Sequence, residues 1–116
     1  MNIIITARKF KARETLKEYV NDEVKSLLKF NDDIISADVI LSFQNSHDSL
    51  KKAEISLRIP GQTLVATEVS DDFIKSISAT VEKLSRQLKT LKSKRKSRIK
   101  WWILMISQYP EKSLLH

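Results

Sequence analysis

The chain has 116 residues, one glycine, no cysteine and a net charge of +7. It is long enough for one domain with a modest core, and it excludes a disulfide framework, a thiol nucleophile and a thiolate metal site. Residues 1–82 hold 11 basic and 13 acidic side chains, whereas residues 83–100 hold nine basic and none acidic, so a polyanionic partner is expected on one segment.

The first element is a strand over "NIIITA", rich in β-branched residues. A helix follows over 15–30, where Leu16, Tyr19, Val20, Val24, Leu27 and Leu28 recur at helical spacing. Thr15 with Glu18 reads as a capping box at its start, and "NDD" (31–33) stops it. "IISADVILSF" (34–43) is a second strand. In "KAEISLRI" (52–59), Ala53, Ile55, Leu57 and Ile59 alternate with Lys52, Glu54, Ser56 and Arg58, which marks a strand with one wet face. Pro60 and Gly61 suit the centre of a type II turn, and "QTLVATEV" (62–69) completes a hairpin.

Ser70, Asp71 and Asp72 offer an N-cap and negative charge at the start of a last helix. Its apolar stripe is Ile74, Ile77, Val81, Leu84, Leu88 and Leu91, and the same face then meets Arg95 and Arg98. The helix is expected to leave the core near Leu91 and carry its cations into solvent. The order β-α-β-β-β-α gives an α+β fold, a four-stranded sheet with two helices on one face.

A charge run on a helix is ordinarily a solvated face, but such faces mix signs. Here eight basic pairs stand three or four residues apart between Lys83 and Lys100. Each costs about 0.2–0.5 kcal/mol, roughly 2–4 kcal/mol together, out of about 5–15 kcal/mol for a whole domain. A polyanion removes that cost, which favours nucleic acid. No zinc-finger spacing or glycine-bearing helix-turn-helix is present, and the strands lack the aromatics of an RNA-stacking sheet. Backbone recognition of a folded RNA or a duplex by the basic helix is the reading that remains.

The run Lys83-Leu84-x-Arg86-Gln87-Leu88, continued by Lys92, Lys94 and Lys96, resembles the second-helix signature of the ribosome hibernation-promoting factor family. That family includes the ribosome-associated inhibitor A and is also known for the sigma-54 modulation proteins. Asp72 and Ile77 fall within the family's "DMYxAI" stretch, "LKEYV" (16–20) resembles its first helix and "TAR" (6–8) its "TGR". The likeness spans about residues 1–98, taken as the ribosome-binding domain, with 99–116 as an apolar tail. Ile74 and Ser78 stand where the family has Tyr and an acid, and Glu23 and Ser26 where it has Lys. The family's helix-start Thr falls on Arg13, two residues before the capping box read above.

The resemblance implies a double-stranded-RNA-binding-like fold and a cytoplasmic protein that inhibits translation in stress or stationary phase. It further implies occupation of the tRNA and mRNA channel of the small ribosomal subunit, in contact with 16S rRNA. Carried over as RNA contacts are Lys83, Arg86, Gln87, Lys92, Lys94 and Lys96, with Arg8 beside them. Lys89, Arg95 and Arg98 join on charge and spacing, and Lys25 and Lys29 supply cations on the first helix. Short members of the family either cooperate with a ribosome-modulation factor or, with an extended tail, oppose it. The isolated protein is expected to be a monomer, with no cofactor or metal and no DNA or membrane partner.

The tail "WWILMISQYPEKSLLH" matches nothing in that pattern. Its Trp101, Trp102, Ile103 and Leu104 either fold back onto the domain or form a partner-binding or base-stacking element. "WWILMI", the longest apolar run, is too short to span a bilayer, which takes about 20 residues. The rival readings are a membrane-surface protein using "KSKRKSRIKWWILMI" as an interfacial helix, and a generic RNA chaperone. An enzyme is not expected. His47 and His116 have no nucleophile to serve, the paired aspartates read as a helix stop and a helix cap, and one glycine gives no phosphate-cradling loop.

Overall fold

Ala53, Ile55, Leu57 and Ile59 are buried while Lys52, Glu54, Ser56 and Arg58 keep solvent contact, so the period-two pattern of this strand does divide its faces. The computed structural model describes residues 1–44 and 50–106, with side chains along the last helix as far as Lys92. Its elements are β1 (Asn2–Ala7), α1 (Glu14–Lys25), a 3-10 turn (Ser26–Lys29), β2 (Ser36–Phe43), β3 (Lys51–Ile59), β4 (Gln62–Ser70) and α2 (Phe73–Ile106). The sheet order is β1-β2-β3-β4, with β1 parallel to β2 and the other pairs antiparallel. α2 lies on β3 and β4, and α1 sits beside it and touches β1. This is the β-α-β-β-β-α arrangement expected, with one core between sheet and helices. No helix among the described residues is long and apolar enough to cross a membrane.

Three local expectations need correction. The helix over 15–30 is not continuous. It ends as an α-helix at Lys25, because the Ser26 hydroxyl bonds back to the Glu23 carbonyl at 2.5 Å and the chain tightens into the 3-10 turn. The capping box at Thr15 does not form. Arg13 is the N-cap, in extended conformation and without a side-chain cap, and its carbonyl accepts from the N–H groups of Leu16 and Lys17, both at 3.0 Å. Ala12 is buried, so the chain is held there and turns into the helix at once. Finally, Ile74 is 38% exposed, and Phe73 faces the core in its place. Phe73 stacks on Phe10 at 5.0 Å between centroids and meets Phe43 edge-on at 5.6 Å, closing one end of the core.

The other signals hold. Gly61 has φ +87°, the left-handed value the type II turn requires. Asp72 Oδ1 accepts from the Ile74 N–H at 3.0 Å, so it caps α2. The stripe of Ile77, Val81, Leu84 and Leu88 is buried, and Leu91 is its last, half-buried member.

Candidate nucleic-acid interface

The basic helix is aimed by polar bonds as well as by its apolar stripe. Four side chains along α2 reach main-chain carbonyls of the sheet. Ser76 Oγ donates to Lys51 O at 2.6 Å, Thr80 Oγ1 to Ala53 O at 3.3 Å, Lys83 Nζ to Thr67 O at 3.5 Å, and Gln87 Nε2 to Val65 O at 3.3 Å. Ser76 and Thr80 are fully buried; the bond to Lys51 O satisfies the Ser76 hydroxyl, and Thr80 divides its one proton between Ala53 O and the nearer Ser76 O at 2.6 Å. Lys83 and Gln87 are one helical turn apart, and Thr67 and Val65 are two strand residues apart. Both steps are about 6 Å, so the helix and the edge strand run in matching register.

Beyond this stitched segment α2 loses its support. Leu88 is buried, Leu91 half-buried and Lys92 exposed, yet the backbone stays helical to Ile106. The cations change character along the same line. Lys83 pairs with Glu68 at 3.7 Å and Arg86 with Glu82 at 2.6 Å. Lys89 and Lys92 pair with no acid among the described residues. The side chains of Lys94, Arg95, Lys96 and Arg98 lie outside the described residues; their backbone continues the helix. Gln87, expected to touch RNA, spends one amide donor on the sheet.

Of the first-helix candidates, the structure brings Lys29 to the basic helix and leaves Lys25 exposed at the end of α1. Lys29 Nζ lies 5.3 Å and Lys89 Nζ 4.9 Å from the centroid of the same Phe30 ring. This aromatic ties the 3-10 turn to α2 through two cation–π contacts. Sequence reasoning missed Phe30; the available signal was an aromatic directly after Lys29 where the helical pattern ends. Arg8 is not brought to this cluster. Its N–H bonds to Leu41 O at 2.9 Å at the β1 edge, across the sheet from β4 and level with the first turns of α2.

The open face of the sheet is no rival surface for a polyanion. Asp38 and Glu54 share it with Lys52 and Arg58, and its strand positions carry no aromatic. The largest run of cations without an interspersed acid, residues 83–100, lies on α2, and a shorter one, Arg8 to Arg13, lies between β1 and α1.

The profile of the sigma 54 modulation protein / S30EA ribosomal protein family matches residues 3–96, nearly all of the sheet-and-helix unit. The chain belongs to this family. Within it, a ribosome hibernation promoting factor of Pseudomonas putida is 30% identical over 97 residues, covering 84% of this chain and 92% of that one. The ribosome-associated factor Y of Haemophilus influenzae is 31% identical over 98 residues, 84% of this chain and 89% of that one. The crystal structure of the Thermus thermophilus protein Y N-terminal domain superposes with a TM-score of 0.70 at 26% identity, over 78% of this chain and 99% of that one. The family match ends at residue 96, within the basic run, and the last ten residues of α2 lie beyond it.

Proposed function

We propose that this S30EA-family protein is a translation inhibitor of the hibernation type. It binds the small ribosomal subunit and occupies the channel used by tRNA and mRNA, with the second half of α2 lying against 16S rRNA. The observation that carries the reading is the handover on α2: Lys83 and Arg86 are paired with acids, Lys89 and Lys92 have no acid partner among the described residues, and the apolar stripe ends at Leu91 while the backbone stays helical. Relatives named for ribosome hibernation and ribosome association support the choice of partner.

The mechanism is electrostatic and steric. Lys83, Arg86, Lys89, Lys92, Lys94, Arg95, Lys96 and Arg98 meet phosphates, and the bulk of the domain then blocks the channel. Gln87 holds the helix to β4 and presents its remaining polar atoms to RNA. Lys29 joins from the 3-10 turn; Lys25 and Arg8 reach more distant phosphates. With roughly 4–6 phosphates neutralised, log K falls with log salt at a slope of about −3 to −5. The protein acts in the cytoplasm, where ribosomes are.

The experiment is a competition between assembled small subunits and free ribosomal RNA. A hibernation factor prefers the assembled subunit. Equal affinity for naked RNA would make the protein a generic RNA chaperone, and pelleting with anionic liposomes in place of subunits would make it a membrane-surface protein.

A further inference from the structure

A cavity of about 320 Å³ opens between the 3-10 turn and α2, at the cationic end of the molecule. Leu88, Leu91 and Phe30 give it an apolar wall, Lys29 and Lys92 bring two ammonium groups, and Asp32 and Asp33 bring two carboxylates. Neither carboxylate forms an ion pair with a lysine or arginine among the described residues, although two lysines line the same space. The turn bearing them is held by the Asp33 N–H, which donates to Asn31 Oδ1 at 2.8 Å. Lys29 is positioned by its contact with the Phe30 ring. The cavity thus has a cationic part, an anionic part and an apolar wall, at the lower end of the roughly 300–1,000 Å³ usual for small-ligand sites.

We infer that this cavity takes a single unstacked guanine nucleotide. The base lies against Leu88, Leu91 and Phe30, its phosphate meets Lys29 and Lys92, and an Asp32 or Asp33 carboxylate accepts from N1–H and the 2-amino group. Guanine is the choice because it alone of the four bases presents two adjacent donors on its pairing edge, matching the two oxygens of a carboxylate. Adenine and cytosine set an acceptor beside their amino group, and uracil flanks its single N–H with two acceptors. The carboxylates also keep phosphate out of that part of the cavity, which fixes the direction of entry. The inference rests on the RNA-binding reading of α2, since a guanosine extruded from rRNA beside the basic helix is the nearest source. A free guanine nucleotide offers the same groups.

The test uses the full chain and its D32N/D33N variant, both substitutions being on exposed residues. Hairpin RNAs differing only in one bulged base, guanine or adenine, are titrated at fixed salt, and GMP and AMP are titrated separately with the amide signals of Asp33 and Leu91 followed by NMR. The guanine bulge should bind at least about 5-fold tighter than the adenine bulge, with the preference lost in D32N/D33N and GMP shifting the signals more than AMP. A GMP response without a bulge preference supports the cavity and names free nucleotide as the source. A GMP response without any RNA binding supports the cavity while refuting the helix reading. Salt-dependent RNA binding that is indifferent to the bulged base, with no selective GMP response, overturns the inference and leaves the helix reading standing. No response to any RNA or nucleotide overturns both.

Discussion

Gln87 donates its side-chain amide to the main-chain carbonyl of Val65, 22 residues earlier in the chain, at 3.3 Å. That bond and the matching one from Lys83 to Thr67 cover outward carbonyls of β4, an edge strand that would otherwise offer them to another chain. They also fix the line along which α2 leaves the sheet. The direction of α2 beyond Leu88 is therefore set by contacts made in the first turns of the cationic segment.

Replacing Gln87 by alanine removes this bond from a part-exposed site. Urea denaturation should show a loss of about 0.5–1.5 kcal/mol. Ribosome binding should fall less than in K92E, because Q87A removes no charge and one amide donor of Gln87 is already spent on Val65. A larger binding defect than that of K92E, with stability unchanged, would make Gln87 an RNA contact alone.

Tyr19 and Ser78 join α1 to α2 through their hydroxyls, one donating to the other, and the Glu23 carboxylate, 3.3 Å from the Tyr19 and 3.4 Å from the Ser78 hydroxyl, accepts the proton left over. A double-mutant cycle with Y19F and S78A should give a coupling energy of about 0.5–1.5 kcal/mol. Additive losses would mean that the two hydroxyls act independently.

Leu88 is the last fully buried member of the α2 stripe, at 1% exposure. L88A should cost about 2–5 kcal/mol and fray the helix from that point. Circular dichroism of the variant below its melting temperature should show lost helix while the sheet remains.

Gly61 has φ +87°, and a methyl group there would meet no atom within 4 Å. G61A should therefore lose only the backbone term, about 1–2 kcal/mol by thermal denaturation.

Much of this was open to reading in the residues themselves. The alternation in 52–59 and the stripe from Ile77 to Leu91 each depend on local spacing, and each led to the right element, whereas the acids that pair Lys83 and Arg86 were not foreseen. What was hidden depends on partners far along the chain. Phe73 and Ile74 are adjacent apolar residues, and only Phe10 and Phe43 decide that Phe73 turns inward. Ser76 and Thr80 are polar residues whose burial follows only once β3 and the helix itself supply carbonyls for them. Phe30 falls outside the helical stripe, and its role emerges only when Lys89 is folded against it. Helix starts set by a buried alanine rather than by a capping side chain, as at Arg13, leave no short-range mark.

The most direct measurement is co-sedimentation with small ribosomal subunits over a salt series, for the native chain and for a variant with Lys92, Lys94, Arg95 and Lys96 all changed to Glu. The native chain should show a log–log slope of about −3 to −5, and the variant should stay in the supernatant while melting at the native temperature. Binding that ignores ionic strength, or a folded variant that still pellets with subunits, would contradict the assignment of this helix to ribosomal RNA.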